Sequence, residues 1–269
     1  MGRNRGRTMV LGDLLDFVDN AEKDSVDVQI AEALLKERRN LDSLSLDKLA
    51  ERYYISQASF SRFMKRMGFS NYSDFKSALV ESQAYMDQLY TDTARKKITV
   101  TEVKDEVYDN ILSALHVVHE KSSEDLLKVI HTLDVSHTVI FAGSSLSMSI
   151  LRILELALSA DDKVVEMIHL IPRQVEKLKT LKEDDIFIAV SLEGRWYSSL
   201  KERLDVSELK CRKMLWTIDP DHEDQEKFDD TVIFGETAEM DYGYNEYMYF
   251  VMLIYQLYRS RKRLHSENE

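Results

Sequence analysis

The sequence predicts a chain of two parts, an all-α N-terminal domain and a three-layer α/β domain built on a parallel five-stranded sheet. Apolar residues recur at helical spacing as far as residue 135, and short β-branched runs alternate with helical segments after His137. Only 2 Pro and 8 Gly occur among 269 residues, so few breakers interrupt the helices. We expect domains at residues 1–80 and 107–262, with a helical linker at 81–106 and a tail at 263–269.

Three helices are predicted within the first of these domains. The first covers residues 27–37, where the apolar side chains share one face. Ser45 is suited to cap a second helix that ends near Tyr54, and Ser56 to cap a third that runs to Met67. Gly68 follows at a position that favours positive φ. The short helix, the tight turn and the third helix together predict a helix-turn-helix.

The third helix has an unusual charge pattern. Residues 55–73 contain three basic side chains and no Asp or Glu, although the chain has 48 acidic and 36 basic residues and a net charge of −12. On a helical wheel the apolar residues share one face, and the opposite face is hydroxylic and basic. Such a face suits DNA phosphates, with an ordinary solvated basic face as the alternative. The residues predicted to contact DNA are Ser56, Gln57, Ser59, Ser61, Arg62, Lys65 and Arg66.

The same part of the sequence resembles a known family. Residues 43–79 are similar to the N-terminal helix-turn-helix domain of the RpiR family of bacterial transcription regulators. The resemblance implies that the chain binds a double-stranded DNA operator as a homodimer or higher homo-oligomer. It is carried by Leu49, Ala50, Ser56, Ala58, Arg62, Phe63, Lys65, Gly68, Phe69, Tyr72, Phe75 and Lys76.

The second part of the chain alternates strands with helices. Helices are predicted between the strands and, as a long apolar segment, at residues 242–261. This alternation favours a parallel sheet covered on both faces, whose ligands bind at the carboxyl ends of the strands. The five predicted strands lie within residues 137–143, 163–170, 184–194, 213–219 and 231–235.

Polar residues follow two of these strands. Hydroxyl groups beside the amides of a helix N-terminus are typical of a phosphate site, which makes both loops candidates for a ligand. Ser144 and Ser145 are also ordinary N-cap residues, and this structural alternative stays open. The predicted ligand-binding residues are Gly143, Ser144, Ser145, Ser191, Glu193, Gly194 and Arg195.

Most of residues 107–260 resemble the sugar isomerase (SIS) domain that follows the helix-turn-helix in the RpiR family. In that family two loop motifs bind the phosphate of a sugar phosphate, and the resemblance matches Gly143, Ser145, Ser191 and Gly194 to them. Phe141, Glu193 and Trp196 depart from the motifs. A carboxylate repels a dianionic phosphate unless a cation such as Arg195 intervenes. A different ligand, with Trp196 stacking on a sugar, and an empty dimerisation domain are therefore alternatives.

Other features bear on the class of protein. The single cysteine, Cys211, excludes an intramolecular disulfide and fits a reducing cytosol. The apolar run at residues 248–258 is shorter than the roughly 18 residues of a membrane span. His116 and His119 lack a third metal ligand, and the acidic segment at 219–230 lacks the pattern of a calcium loop and is expected to be solvated. We expect a cytoplasmic protein that binds neither a membrane, a metal nor a cofactor.

The favoured function is a regulator of carbohydrate metabolism genes that binds DNA and senses a phosphosugar or a related metabolite. No catalytic residue is assigned. A sugar-phosphate isomerase is the alternative from the enzyme class, but it needs a base and an intact phosphate pocket. A ligand-free SIS scaffold is the alternative from the class of interaction proteins.

Overall fold

The computed structural model describes residues 10–22, 25–94, 99–168, 170–236 and 240–263. The chain divides into two compact units. The first comprises residues 1–97 and 169–174, and the second comprises residues 98–168 and 175–269.

The first unit is helical. Its helices are α1 (Val10–Asn20), α2 (Val26–Glu37), α3 (Leu46–Tyr53), α4 (Gln57–Arg66) and α5 (Tyr72–Ala94). The three predicted helices are confirmed as α2, α3 and α4, and the hydroxyls of Ser45 and Ser56 accept the capping bonds expected of them. The sequence analysis missed α1, and α5 continues past residue 80.

The apolar faces of these helices meet in one core. Phe60, Phe63 and Met64 form the inner face of α4 and are fully buried. The Phe63 ring meets that of Phe17 edge to face, with the centroids 5.3 Å apart. Burial of such a side chain stabilises a fold by about 1.5–3 kcal/mol, so this face fixes which side of α4 is turned outward.

The second unit is an α/β domain. Its helices are α6 (Val100–His119), α7 (Ser123–Val135), α8 (Ser145–Ile150), α9 (Arg152–Ser159), α10 (Ile171–Leu178), α11 (Arg195–Lys201) and α12 (Met240–Ser260), although residues 171–174 of α10 are grouped with the first unit. Its strands are β1 (Thr138–Gly143), β2 (Val164–Ile168), β3 (Asp185–Val190), β4 (Arg212–Thr217) and β5 (Asp230–Ile233). Every pairing is parallel and the order is β2-β1-β3-β4-β5, which confirms the predicted parallel five-stranded sheet.

The strand order determines where polar loops come together. Strand β1 is the first strand along the chain, and β2 pairs with it on one side. The chain then crosses to β3 on the other side of β1, so the direction in which strands are added to the sheet reverses between β1 and β3. Gly143 at the end of β1 pairs in register with Val190 at the end of β3. The loops that follow these two strands therefore leave the sheet side by side, at the place where parallel α/β sheets usually bind ligands.

Candidate functional site

The turn between α3 and α4 is built by local hydrogen bonds. The N–H of Tyr54 donates to the carbonyls of Ala50 and Glu51, and the N–H of Ile55 donates to the Ala50 carbonyl at 3.1 Å. Ile55 is buried under the turn. Ser56 then caps α4 by accepting from the N–H of Ser59 at 3.1 Å. These bonds fix the direction of α4 relative to α3, as a helix-turn-helix requires.

The face of α4 that is turned away from the core carries the predicted DNA contacts. Ser59 is half-buried and the other six residues are exposed. The guanidinium of Arg62 donates to the Ser59 hydroxyl at 3.1 Å. Within the described part of the chain neither Arg62 nor Lys65 forms an ion pair. Both cations are therefore available to an anionic partner.

Two carboxylates from other helices reach this face, which the sequence analysis did not anticipate. Asp27, in the first turn of α2, forms an ion pair with Arg66. Asp47, in the first turn of α3, accepts a hydrogen bond from the side-chain amide of Gln57. Residues 55–73 contain no acidic residue, but Asp27 and Asp47 contact them in the folded chain. Arg66 and Gln57 can therefore contact DNA only after their hydrogen bonds to these carboxylates break.

The polar side chains of the loop after β1 form hydrogen bonds with the first turn of α8. Ser144 caps α8, because its hydroxyl oxygen accepts from the N–H of Ser147 at 3.3 Å and lies 2.9 Å from the Ser147 hydroxyl. Ser144 is thus an N-cap, and its contact with a ligand stays a prediction. Ser145 is half-buried. Gly143 is required for packing, since a Cβ there would lie 2.7 Å from the carbonyl oxygen of Val190.

The loop after β3 contains a buried hydrogen bond between two side chains. The Ser191 hydroxyl lies 3.0 Å from Nε2 of His222, and only 5% of His222 is exposed. The other ring nitrogen, Nδ1, lies 2.5 Å from the backbone carbonyl of Glu223. A carbonyl can only accept, so Nδ1 carries the proton and, in the neutral imidazole, Nε2 accepts from Ser191.

The other residues of the loop after β3 differ in burial and in backbone conformation. Gly194 has a φ of 81°, which favours glycine, and it precedes α11. Glu193 is half-buried, and the Arg195 side chain lies outside the described part of the structure. Trp196 is only 4% exposed, so stacking on a sugar would require the indole to leave its buried position. Its ring centroid lies 6.3 Å from that of Tyr197.

Most carboxylates of the acidic segment after β4 are exposed to solvent, as expected. Asp221 and Glu223 are among them, while Asp219 and His222 are buried. The sequence analysis missed His222 as a partner of Ser191, and the only signal in the sequence was an imidazole within a run of acids.

Other candidate binding features lie elsewhere. An open cleft of about 580 Å³ at the amino ends of β3 and β4 is lined by Leu181, Lys182, Leu204 and Lys210, among others. It lies at the opposite edge of the sheet from Ser191. The described residues contain no group of three or more His, Cys, Asp or Glu side chains placed to hold a metal. None of the helices in the described ranges has the length and hydropathy of a membrane span.

Comparisons with known proteins were made for both the helix-turn-helix and the α/β domain. Residues 20–85 match the family model for the helix-turn-helix domain of the rpiR family, so this part of the chain is similar to such domains. No curated protein matches the chain.

Solved structures similar to the chain include the following two. One is the Vibrio vulnificus NanR protein complexed with ManNAc-6P, at 15% identity and a TM-score of 0.50, covering 93% of this chain and 92% of that chain. The other is the sugar isomerase domain of an RpiR transcription factor from Sphaerobacter thermophilus, at 14% identity and a TM-score of 0.50, covering 60% of this chain and 91% of that chain. At such identities the likeness shows the fold alone, and the second unit has the fold of a sugar isomerase domain.

Proposed function

We propose that this chain, whose residues 20–85 form an rpiR-family helix-turn-helix, is a transcription regulator of carbohydrate metabolism genes. It binds operator DNA, dimerises through its second unit and responds there to a phosphosugar or a related metabolite. The observation that carries the proposal is the outer face of α4, which exposes Arg62 and Lys65 without an ion-pair partner in the described residues. The place of action is the cytoplasm, where bacterial DNA lies.

On this proposal α4 enters the major groove and α3 crosses the phosphate backbone. Gln57 and Ser59 lie in the first turn of α4, where recognition helices contact base edges. Arg62 follows one turn later and reads a guanine or neutralises a phosphate. Lys65 lies in the last turn and meets the backbone. The net charge of −12 keeps the rest of the molecule away from DNA, so binding depends on this one face.

An exposed apolar stripe supports the dimer. Val103, Val107 and Ile111 recur every four residues along α6, and each is more than 40% exposed. Met248 and Met252 are exposed on α12, which packs against α6. Exposed apolar side chains on two helices that pack together are typical of an interface. A second copy of the chain is the fitting occupant, because a two-fold dimer presents two copies of α4 to a palindromic operator.

The effector is proposed to bind at the carboxyl edge of the sheet, near Ser144, Ser145 and Ser191. The similar NanR protein was solved with a phosphosugar, which supports this ligand class. The Ser191 hydroxyl donates to His222, so an effector must compete with that hydrogen bond, whereas the Ser144 hydroxyl accepts the cap bond and can still donate its own proton. We assign no catalytic residue, because this edge offers an altered phosphate motif and both hydroxyls already have partners.

Selection of genomic fragments by the purified full-length chain tests the proposal. The selection is made at about 0.15 M salt, because charge-driven binding depends strongly on ionic strength. Recovered sites are then titrated with and without a panel of sugar phosphates. We expect one palindromic site with half-sites about 34 Å apart or a multiple of it. A sugar phosphate that changes the affinity for that site identifies the effector class.

The other outcomes are distinct. Recovery of no specific site, with or without the panel, contradicts the regulator. Turnover of a hexose or pentose phosphate by the same preparation supports the isomerase alternative. Operator binding without any response or thermal shift across the panel leaves the regulator in place and removes the effector.

A further inference from the structure

Tyr54 adopts a backbone conformation that is unfavourable for its side chain. It lies in the turn between α3 and α4 with φ 55° and ψ 34°, in the left-handed region. L-residues with a Cβ avoid this region because the Cβ crowds the following carbonyl, and glycine is the usual residue there. Only three non-glycine residues within the described ranges have positive φ, and the other two, Asp162 and Asp224, are of a type that tolerates it.

The fold requires this backbone conformation, but the Tyr54 ring contributes no packing to the fold. The hydrogen bonds from Tyr54 and Ile55 back to α3 require a left-handed residue at this position, whatever its side chain. Tyr54 is nevertheless 96% exposed, so its ring buries almost no surface. An aromatic residue that is unfavourable for the backbone and does not pack is explained by a partner outside the chain.

The position of Tyr54 identifies the partner. It directly follows the helix that crosses the phosphate backbone and comes two residues before Ser56, the cap of the helix that reads bases. A side chain between these two contacts lies beside the sugar-phosphate chain. A phenol suits this environment, because its ring covers deoxyribose and its hydroxyl donates to a phosphate oxygen.

We propose that Tyr54 is a DNA contact in each half-site, with its ring against the sugar and its hydroxyl donating to a phosphate. The inference rests on the proposed DNA-binding function and deepens it. The contact carries no sequence information, so it strengthens binding to operator and to unrelated DNA alike. Tyr54 thus lowers the stability of the turn and raises the affinity for DNA.

The test uses the full chain and compares wild type with Tyr54→Gly and Tyr54→Phe. Fluorescence anisotropy measures binding to the selected operator and to an unrelated duplex of equal length at about 0.15 M salt. We expect Tyr54→Gly to raise the melting temperature of the N-terminal unit by roughly 2–5 °C, because glycine relieves the turn. It should weaken binding to both duplexes by about five- to tenfold. Tyr54→Phe should lose part of that affinity, since it keeps the ring and lacks the hydroxyl.

Asp162→Gly provides the matched control. Asp162 is exposed, has a φ of 58° and lies three residues after the end of α9, in the second unit. The N–H of the next residue, Lys163, donates to the Leu158 carbonyl five positions back, as that of Ile55 donates to the Ala50 carbonyl. The same backbone change there should leave DNA affinity unchanged.

Each contrary result has a definite meaning. Tyr54→Gly with wild-type affinity overturns the contact. A lower melting temperature for Tyr54→Gly overturns its premise, since the ring would then stabilise the fold. A loss confined to the operator overturns the backbone assignment, because the ring would then read a base. Failure of the wild type to bind any DNA is a failure of the proposed function instead, and it is seen before any variant is made.

Discussion

The Ser191 hydroxyl and Nε2 of His222 lie 3.0 Å apart in a buried pair at the carboxyl edge of the sheet. The two residues are 31 positions apart and come from the loops after β3 and β4. Ser191 is one of the residues that a phosphate ligand is expected to meet. The protein itself therefore provides a partner for this hydroxyl, and His222 becomes part of the candidate ligand site.

Ser191→Ala should lower the free energy of unfolding of the second unit by about 1–3 kcal/mol, because it removes the hydroxyl that donates to a buried imidazole. Urea unfolding followed by tryptophan fluorescence measures this, since both tryptophans, Trp196 and Trp216, belong to that unit. Ser149→Ala is the control, because Ser149 is exposed on α8, and it should cost less than about 0.5 kcal/mol. Equal stabilities of the two variants would show that the pair contributes nothing.

Arg62→Ala should weaken operator binding by about 1–3 kcal/mol if Arg62 reads a guanine, with a much smaller loss on unrelated DNA. Arg66→Ala should cost less, because Asp27 already holds Arg66 in an ion pair. Anisotropy titrations with both duplexes separate these cases. An unchanged operator affinity in Arg62→Ala would remove Arg62 from the reading face.

Asp27→Asn should strengthen binding to any DNA, because it releases Arg66 and removes a negative charge beside the phosphates. One additional phosphate contact steepens the slope of log K against log salt by about 0.9. The measurement is the salt dependence between about 0.05 and 0.2 M. Glu32→Gln makes the same charge change at an exposed position of the same helix, and it should leave the slope unaltered. A slope in Asp27→Asn equal to that of this control would indicate that Arg66 stays away from DNA.

Val107→Glu should convert a dimer into a monomer, because it places a charge in the centre of the exposed stripe on α6, where Val107 is 49% exposed. Sedimentation velocity measures the association state. Ser113→Glu introduces the same charge at an exposed position of α6 outside the stripe, and it should leave association intact. A Val107→Glu protein that still dimerises would place the interface elsewhere.

Glu246 should make stability depend on pH. Burial, with a contribution from the neighbouring Glu236, raises the pKa of its carboxyl to about 7 from an ordinary value of 4.5. Between these values the unfolded chain has released the proton that the folded chain retains, so the free energy of unfolding falls as pH rises from about 4.5 to about 7 and is then constant.

Glu246→Gln should remove that fall and stabilise the protein at pH 8 by up to roughly 3 kcal/mol, with little effect at pH 4.5. Urea unfolding at several pH values measures the difference from wild type. Glu202→Gln, at an exposed position, serves as the control. A constant difference between wild type and Glu246→Gln from pH 4.5 to 8 would contradict the raised pKa.

Much of the fold could be predicted from local patterns. The 3.6-residue spacing of Phe60, Phe63 and Met64 indicated both the existence of α4 and its buried face. The caps at Ser45 and Ser56 and the left-handed Gly68 are one-turn signals, and all three are confirmed. Helix α1 was not predicted, and Gly12 in its first turn weakens the local signal, because glycine is a poor helix former.

The sequence by itself determined the fold class, the parallel sheet and the face of α4 that is free to meet DNA, because periodicity, caps and β-branched runs act between residues close in the chain. Only the tertiary structure decided what those residues touch. Asp27 reaches Arg66 across 39 positions and His222 reaches Ser191 across 31. Such pairs depend on helix packing and on strand order, and no local pattern specifies either.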